Sequence, residues 1–272
     1  VELALVRVLE KRGLCSKQVV SEVENAVDEL TVEEVYAEEK KTKHNIRALA
    51  NAIRNKVSDE TKPFVHLSAT SFDIIDTANS LRYKEATEKV IIPHIENLLQ
   101  EWLRLAEENK ETLQIGRTHG QHAEPITFGL VMAYYCSRLN ERLNQLIKSS
   151  SSLVGKMSGA VGAYNSSNIF VSDPDEFEKE VLAELGLKPG PVSTQIVAPE
   201  YMTDYVHSLI SLFGILADFS DDMRHLQRTE IGEVGEYFAS DQVGSSTMPH
   251  KRNPINYENV KSMWKAFMPR MI

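Results

Sequence analysis

The sequence predicts an all-α protein, in which a small helical N-terminal domain (residues 1–69) precedes a domain of long helices (70–272). Three observations support this class. Apolar residues recur at steps of three and four over three long stretches, which is the spacing of a helix with one buried face. The alternating pattern typical of strands is almost absent. A proline-containing break separates the short helices from the long ones.

The N-terminal domain is predicted to contain short, charge-rich helices. They cover about residues 3–13, 16–30, 31–43 and 48–57. Thr31, with Glu34 three residues later, has the pattern of a capping box at the start of the third helix. The break Thr61-Lys62-Pro63 ends this part, because proline disfavours helix at the residue before it. Residues 64–73 are polar and not periodic, so we place the domain boundary among them.

The second domain is predicted to be an up-and-down bundle of three or four helices of roughly 25–35 residues, since long helices with one apolar stripe bury it against each other. The stripes contain Ile92, Ile95, Leu98, Leu99, Trp102 and Leu105 in the first helix, Phe128, Met132, Tyr135, Leu139, Leu143 and Leu146 in the second, and Val206, Leu209, Phe213, Leu216, Met223 and Leu226 in the third. Pro93 predicts a kink or a break in the first helix.

Shorter segments connect the long helices. Residues 116–125 are predicted to form a turn, and the small residues of 149–167 predict a tight loop. Asp173-Pro174 begins a short helix that ends at Gly186. A last helix is predicted to begin after Pro254.

The composition excludes several classes of protein. The net charge of −9, from 30 basic and 39 acidic residues, argues against a nucleic-acid or membrane-surface protein. There is no run of about 18 apolar residues and no signal peptide before the first helix. Cys15 and Cys136 form neither a disulfide framework nor a metal pattern, which indicates a reducing compartment, the cytoplasm. Amphipathic patterns run through Val1 and Ile272, so we interpret the chain as a piece of a longer protein.

The most unusual stretch is residues 244–254, Gly-Ser-Ser-Thr-Met-Pro-His-Lys-Arg-Asn-Pro. Glycine before this stretch and two prolines within it predict a mobile loop that stops at a helix start. Asn253 fits an N-cap, with Pro254 at the first helical position. A helix N-terminus carries partial positive charge, so Lys251 and Arg252 beside it predict a loop that attracts anions.

Three further stretches contain residues suited to chemistry. His119 lies between Gly116 and Gly120, and histidine is the side chain best suited to proton transfer at neutral pH. Thr70 and Ser71 precede a long helix and offer hydroxyls and amides to an anion, although a simple N-cap explains them equally well. Thr42-Lys43-His44-Asn45 lies near a helix end, where a solvated surface is the alternative.

Together these stretches resemble the motifs of the fumarase/aspartase superfamily. Residues 244–254 resemble its signature G-S-S-x-M-P-x-K-x-N, and the ending Pro-His-Lys-Arg-Asn-Pro is most similar to the adenylosuccinate lyase family. Residues 116–125 resemble the second motif of that family. Residues 66–73 resemble H-x-G-x-T-S-x-D, with Ser68 where glycine is usual. Residues 42–45 resemble an Arg-His-Asp triplet at the histidine alone. The resemblance covers nearly the whole chain.

The resemblance implies a long helix bundle of the fumarase/aspartase type and a lyase that releases fumarate by cleaving a C–N bond in purine biosynthesis. It implies Ser245 as the base, and His119 as the acid that protonates the leaving nitrogen, assisted by His44. The implied substrate-binding residues are Lys43, Asn45, His66, Thr70, Ser71, Gln195, Ser246, Lys251 and Asn253. Lys43 and Asn45 differ from the family pattern, because lysine lacks the arginine fork and asparagine lacks a negative charge.

The resemblance also implies a nucleotide substrate and a homotetramer in which chains share active sites. No metal-ligand spacing or cofactor motif is present in the sequence. Two alternatives remain open. The first is another lyase of the superfamily, such as an argininosuccinate lyase or a fumarase, although Arg117 and His250 favour the adenylosuccinate lyase family. The second is a non-catalytic helical structural protein, against which Ser245, Lys251 and His119 argue by their presence.

Overall fold

A computed structural model describes residues 1–271, and most of its regular structure is helical, which confirms the predicted all-α class. The helices and strands are α1 (Glu2–Lys11), α2 (Lys17–Asp28), α3 (Val32–Thr42), α4 (Asn45–Arg54), α5 (Ser71–Ala86), α6 (Ile92–Glu108), β1 (Leu113–Thr118), β2 (Gln121–Thr127), α7 (Phe128–Ser151), α8 (Pro174–Ala183), α9 (Glu200–Leu226) and α10 (Ile255–Phe267). Ile272, the last residue of the predicted second domain, lies outside the described residues.

The chain divides into two compact units. The first unit comprises Val1–Glu85 and Ser152–Met202, and the second comprises Ala86–Ser151 and the residues from Thr203 onward. Each unit therefore contains two separate parts of the chain. The boundary that the sequence suggests near residue 69 stays a prediction.

The core of the first unit is apolar and is contributed by α1, α2, α4 and α8. Leu5 and Leu9 of α1 are fully buried in one cluster with Val23, Ile53 and Phe177. Burying a side chain of this size contributes about 1.5–3 kcal/mol. Apolar packing therefore joins α8 to the N-terminal helices.

Local capping interactions set the starts of the short helices. The predicted capping box is confirmed, because the Glu34 amide donates to Thr31 Oγ1 (3.3 Å) and the Thr31 amide donates to Glu34 Oε2 (2.9 Å). The fourth helix begins earlier than the predicted residue 48. His44 is its N-cap and accepts the Arg47 amide on Nδ1 (3.3 Å), so the helix can begin at residue 45.

The small-residue segment after α7 packs tightly, as predicted. Thr77 of α5 donates from Oγ1 to the Lys156 carbonyl and accepts the Lys156 amide, both at 3.0 Å. A Cβ on Gly155 would lie 2.6 Å from Leu182 Cδ2 and 2.9 Å from Thr77 Oγ1, so only glycine fits there. This close approach places the backbone of residues 154–158 directly against α5.

The predicted break near Pro93 is confirmed. A π-helical turn, Thr87–Ile91, ends just before α6, in which Pro93 is the second residue. Proline has no amide hydrogen, so the carbonyl four residues earlier loses its usual helical partner. A π turn is one way in which a chain absorbs such a defect.

The second unit is a helix bundle. α6 and α7 run antiparallel, because the Gly129 amide at the start of α7 donates to the Asn109 carbonyl at the end of α6 (2.9 Å) and the Trp102 and Tyr135 rings lie 6.0 Å apart further along. Phe219 of α9 packs 4.5 Å from Trp102. α9, with 27 residues, has the predicted length, and α7, with 24, falls just below it. α6 has only 17 residues and is shorter than predicted, because the π-helical turn separates it from α5.

The predicted apolar stripe is correct for α7 and wrong for most of α9. Every member of the α7 stripe from Met132 to Leu146 is buried. In α9 only Met223 of the predicted stripe is buried, and the buried apolar side chains are instead Tyr205, Ile210, Leu212, Ile215, Ala217 and Met223. Apolar residues occur on several sides of α9, so their spacing alone does not identify the buried side.

The predicted turn at residues 116–125 is in fact part of an antiparallel β-hairpin. β1 pairs with β2 from Leu113 opposite Thr127 to Thr118 opposite Gln121. Pro125 lies within β2, and proline argues against a strand in sequence-based reasoning.

Within residues 1–271, no helix combines the length and apolar character that a membrane crossing requires.

Candidate active site

The predicted site residues lie on loops and helix ends of both units. The first unit contains Lys43, His44, Asn45, His66, Thr70, Ser71 and Gln195. The second unit contains His119, Ser245, Ser246, Lys251 and Asn253. Each unit therefore contributes its own set of polar groups, and the sets differ in chemistry.

In the first unit, the structure brings together two of the four predicted stretches. His44 Nε2 lies 3.4 Å from Ser71 Oγ, at the first residue of α5. Because Nδ1 of His44 accepts the Arg47 amide, the neutral imidazole carries its hydrogen on Nε2 and donates it to Ser71. This contact places a histidine predicted to assist catalysis beside a hydroxyl predicted to bind a carboxylate.

The two residues that flank His44 are exposed. Lys43 ends α3 with a left-handed backbone (φ 54°), and Asn45 Oδ1 accepts the Ile46 amide (2.7 Å). Gln195 is also exposed, in the loop before α9. Their roles in substrate binding stay predictions.

The backbone before α5 shows why glycine is usual at the position of Ser68. Ser68 has φ 61° and His66 has φ 63°, both in the left-handed region that favours glycine. A serine there costs roughly 1 kcal/mol relative to glycine. His66 is held by the buried Glu2, which accepts its amide (2.9 Å) and pairs with its Nδ1 (2.7 Å).

Thr70 lies at the edge of a cleft. Its amide donates to Asp73 Oδ2 (2.8 Å), which fixes the chain as it enters α5. The cleft has a volume of about 460 Å³ and is lined by Leu67, Ser68, Ala69, Thr70, Ala160, Ser166, Ile169 and Phe170. The N-terminus of α5 carries partial positive charge, which agrees with the predicted binding of an anion.

In the second unit, His119 occupies the tip of the hairpin rather than a loop ahead of a helix. His119 (φ 55°) and Gly120 (φ 72°) are the two residues between the paired Thr118 and Gln121. Two successive positive φ angles are the mark of a type I′ turn, whose second position favours glycine. The tight turn leaves the imidazole of His119 exposed to solvent.

An ion pair ties this hairpin to the segment that follows α9. Arg117 pairs with Glu233, which also accepts from Gln114 Nε2 (2.9 Å). The bond from Arg117 lowers the pKa of Glu233, and the same bond raises the pKa of Arg117. Arg117 and Glu233 line a cleft of about 900 Å³ together with His122 and with Asp222, His225 and Arg228 near the end of α9.

The loop of residues 244–254 surrounds the Ser245 hydroxyl with amide donors. Ser245 Oγ accepts the amides of Thr247 (3.3 Å) and Met248 (3.2 Å). Hydrogen bonds to a hydroxyl oxygen favour its deprotonated form, because they stabilise the negative charge. These two amides would lower the cost of forming an alkoxide at Ser245, whose role as the base stays a prediction.

The same loop closes on itself at its ends. A Cβ on Gly244 would lie 2.0 Å from the Lys251 carbonyl oxygen, and Asn253 Nδ2 donates to the Gly244 carbonyl (3.0 Å). The predicted N-cap role of Asn253 is therefore wrong, since its amide is used within the loop. Pro254 is the N-cap instead, and α10 begins at Ile255.

Cationic side chains gather beside this loop. Ser246 and Lys251 are exposed. A cleft of about 560 Å³ is lined by Arg224, His225, Arg228, His250, Lys251 and Arg252, with Glu258 as its acidic member. The cleft agrees with the predicted attraction for anions.

Within residues 1–271, no three His, Cys, Asp or Glu side chains are grouped so as to hold a metal ion.

Sequence reasoning missed four charged groups that organise these sites. Glu2 and Glu233 lie in stretches with no motif, and each acts on a partner far along the chain. Lys156 had one signal, a lone charge in a segment of small residues predicted to pack tightly. Asp73 was part of the string at 66–73 but received no role.

Comparison with known proteins shows the family. The family model described as Lyase matches residues 2–267. The adenylosuccinate lyase of Aquifex aeolicus is 41% identical over 263 residues, which are 96% of this chain and 58% of that protein. The adenylosuccinate lyase of Thermotoga maritima is 39% identical over 266 residues, 97% of this chain and 59% of that protein. The chain thus spans less than two thirds of the length of these relatives.

Solved structures share the fold. The 3-carboxy-cis,cis-muconate lactonizing enzyme of Pseudomonas putida superimposes with a TM-score of 0.86 at 26% identity, covering 99% of this chain and 60% of that one. The fumarate lyase of Mesorhizobium sp. BNC1 gives a TM-score of 0.84 at 23% identity, with the same coverage. These likenesses confirm the predicted helix bundle.

The ion pair between Arg117 of the hairpin and Glu233 predicts that the stability of the fold depends on pH. A carboxyl whose pKa is lowered by folding stabilises the fold above its usual pKa, and this contribution disappears as the pH falls through the lowered value. We expect Glu233→Gln to reduce the free energy of unfolding by about 1 kcal/mol at neutral pH, and the difference from wild type to shrink below the usual glutamate pKa of 4.5. Urea unfolding across this pH range measures it.

A matched control is Glu230→Gln. Glu230 is largely exposed and lies 4.0 Å from Arg228, so its replacement should change stability by less than about 0.5 kcal/mol. A Glu233→Gln effect that is independent of pH, or equal to that of the control, would show that the ion pair does not hold the hairpin.

Proposed function

The chain belongs to the Lyase family, and from this membership we propose that the full-length protein is an adenylosuccinate lyase. In the proposed reaction, a β-elimination cleaves a C–N bond and releases fumarate. The substrates are adenylosuccinate, which gives AMP, and the succinylated aminoimidazole carboxamide ribotide of purine biosynthesis. The observation that carries the proposal is the pair of amides on Ser245 Oγ, in a loop with cationic neighbours.

The first step is removal of a proton from the carbon next to a carboxylate of the succinyl group. Ser245 takes this proton as the base. The amides of Thr247 and Met248 stabilise the alkoxide that a basic serine requires, and Lys251 in the same loop adds positive charge. The electron pair left on carbon is delocalised into the carboxylate.

The second requirement is stabilisation of the dianion that results. Donors that are already in place act most strongly here, and one such donor is commonly worth about 100- to 1000-fold in rate. Thr70 and Ser71 at the positive end of α5 supply these donors, with Lys251 of the loop and the second Nδ2 hydrogen of Asn253, whose first is bonded to the Gly244 carbonyl. The remaining substrate contacts are assigned to Lys43, Asn45, His66, Gln195 and Ser246.

The last step breaks the C–N bond. His119 gives a proton to the leaving nitrogen, so that a neutral amine departs with the electrons of the bond and fumarate is formed. The exposed hairpin tip suits this role, because it presents the imidazole to a ligand. His44 supports the step, and its hydrogen bond to Ser71 couples it to the carboxylate-binding group.

We also propose that the protein is a cytoplasmic homotetramer whose active sites are shared between chains. Large apolar side chains are exposed in the second unit, where a second copy could cover them: Leu103, Leu113, Leu130, Tyr134 and Met263. Cys15 and Cys136 are free thiols, as is usual in a reducing compartment.

The direct test is an absorbance assay of adenylosuccinate cleavage by the full-length protein. We expect cleavage of adenylosuccinate and of the succinylated ribotide. Argininosuccinate and malate serve as comparison substrates for other lyases of the superfamily. Activity on either of these alone would reject the proposed substrate, and inactivity on all four would favour a non-catalytic protein.

The assigned roles predict the effect of single substitutions. His119→Gln and Ser245→Ala should each lower turnover by at least about 100-fold, because each removes a group that transfers a proton. His122→Gln, on the same hairpin, and Ser240→Ala, upstream of the same loop, are matched controls expected to stay within about threefold of wild type. Near-normal turnover of either main variant, with the fold intact by circular dichroism, would overturn its role.

Sharing of sites predicts complementation. When chains carrying His119→Gln are mixed with chains carrying Ser245→Ala under conditions of subunit exchange, some sites should receive both intact residues and regain activity. The mixture is compared with each variant alone after the same treatment. Absence of recovery, with exchange verified by mass labelling, would count against shared sites.

A further inference from the structure

The first unit contains an ion pair that the proposed reaction does not use. Asp73, in the first turn of α5, and Lys156, in the segment after α7, are both almost completely buried, and Lys156 Nζ donates to Asp73 Oδ1. Charges are rarely buried unless they are paired, because leaving water is costly. The pair therefore calls for an explanation beyond packing.

The second oxygen of the carboxylate holds two backbone segments. Asp73 Oδ2 accepts the amide of Thr70 (2.8 Å) and the amide of Gly159 (3.2 Å). Lys156 Nζ also donates to the Gly159 carbonyl (3.1 Å). One buried pair thus fixes the chain just before α5 and the start of the loop that follows Lys156.

Both segments contribute walls to one cleft. Ser68 and Thr70, from the segment before α5, and Ala160 and Ser166, from the loop after Lys156, line this cleft of about 460 Å³. The walls are close, since a Cβ on Gly159 would lie 3.8 Å from the Ser68 carbonyl oxygen. A displacement of the Asp73 carboxylate would move both walls.

We propose that Asp73 and Lys156 are positioning residues, which hold the Thr70–Ser71 element in the geometry that binds a carboxylate of the substrate and of fumarate. This inference rests on the proposed function. The pair does not touch the reacting atoms in this assignment. It acts through the Thr70 amide and through the separation of the two walls.

The energetics of buried pairs support a role in geometry. The attraction between the two charges is largely offset by their loss of hydration, so a buried ion pair adds little stability relative to apolar side chains of similar size. The pair instead fixes the orientation of the Asp73 carboxylate, because both of its oxygens have defined hydrogen-bond partners. The Lys156 backbone is itself bonded twice to Thr77, so the ammonium group starts from a fixed point.

The test removes the pair without leaving an unpaired buried charge. In the full-length protein, Asp73→Leu with Lys156→Met replaces both charges by apolar side chains of similar size. Isothermal titration calorimetry then measures the binding of fumarate and of AMP separately. We expect fumarate affinity to fall at least about 10-fold, since a hydrogen bond to a charged group is worth that much, and AMP affinity to stay within about twofold.

Two further variants separate positioning from general damage. Asp73→Asn with Lys156→Met keeps an oxygen that can accept the Thr70 and Gly159 amides, and it should lose about threefold in fumarate affinity, between wild type and the apolar pair. Glu178→Gln is the matched control, because Glu178 is a buried carboxylate of the same unit that accepts the Met157 amide (2.6 Å) and the Tyr164 hydroxyl (2.5 Å). It should bind fumarate like wild type.

The outcomes are distinct. A selective loss of fumarate affinity in the order given supports the positioning role. The positioning role is overturned if fumarate and AMP affinity fall equally, or if a folded variant binds fumarate like wild type. In either case the proposed function still stands if the wild type cleaves adenylosuccinate. If the variant with Asp73→Leu and Lys156→Met does not fold, the variant with Asp73→Asn and Lys156→Met decides. A wild type that neither cleaves adenylosuccinate nor binds fumarate removes the proposed function, and this inference with it.

Discussion

The first unit depends on a polar, buried face of α5. Asp73, Thr77 and Ser80 all lie on it, and each binds backbone or a charged group of residues 154–159. These partners are 74 to 86 positions away along the chain. Because a buried polar group without a partner is costly, such a set of bonds is satisfied by few arrangements of the two segments. This contact positions the segment at the start of α5 that contains Thr70 and Ser71.

The second unit is held mainly by apolar packing. The rings of Trp102, Tyr135 and Phe219 meet at centroid distances of 4.5 to 6.0 Å and join α6, α7 and α9. Tyr135 also donates to Asp222 (2.5 Å), and burial raises the pKa of its hydroxyl. Packing of the helices alone does not order the hairpin tip or the long loop. The ion pair of Glu233 with Arg117 holds the hairpin, and the bond from Asn253 to the Gly244 carbonyl holds the ends of the loop together.

The sequence predicts what local rules control. The Thr31 capping box and the break near Pro93 depend on residues within one or two turns, and both are confirmed. The stripe of α7 is clear where polar residues separate its members, as Ser137-Arg138 and Asn140-Glu141-Arg142 do on either side of Leu139. The buried side of α9 is not predictable in the same way. For the candidate site, motif spacing identifies which residues to consider, while the geometry of His44 with Ser71 depends on contacts 27 positions apart.

The loop that bears Ser245 is pinched where Gly244 meets the Lys251 carbonyl and the Asn253 side chain. A segment closed in this way can move as one body, with its internal hydrogen bonds unchanged. The backbone rotation for such a movement would occur outside the loop, and Gly232, with its left-handed backbone, and Gly235 lie upstream of it. The hydroxyl would thus arrive at its target with both amide donors already in place, so that approach and activation are separate events.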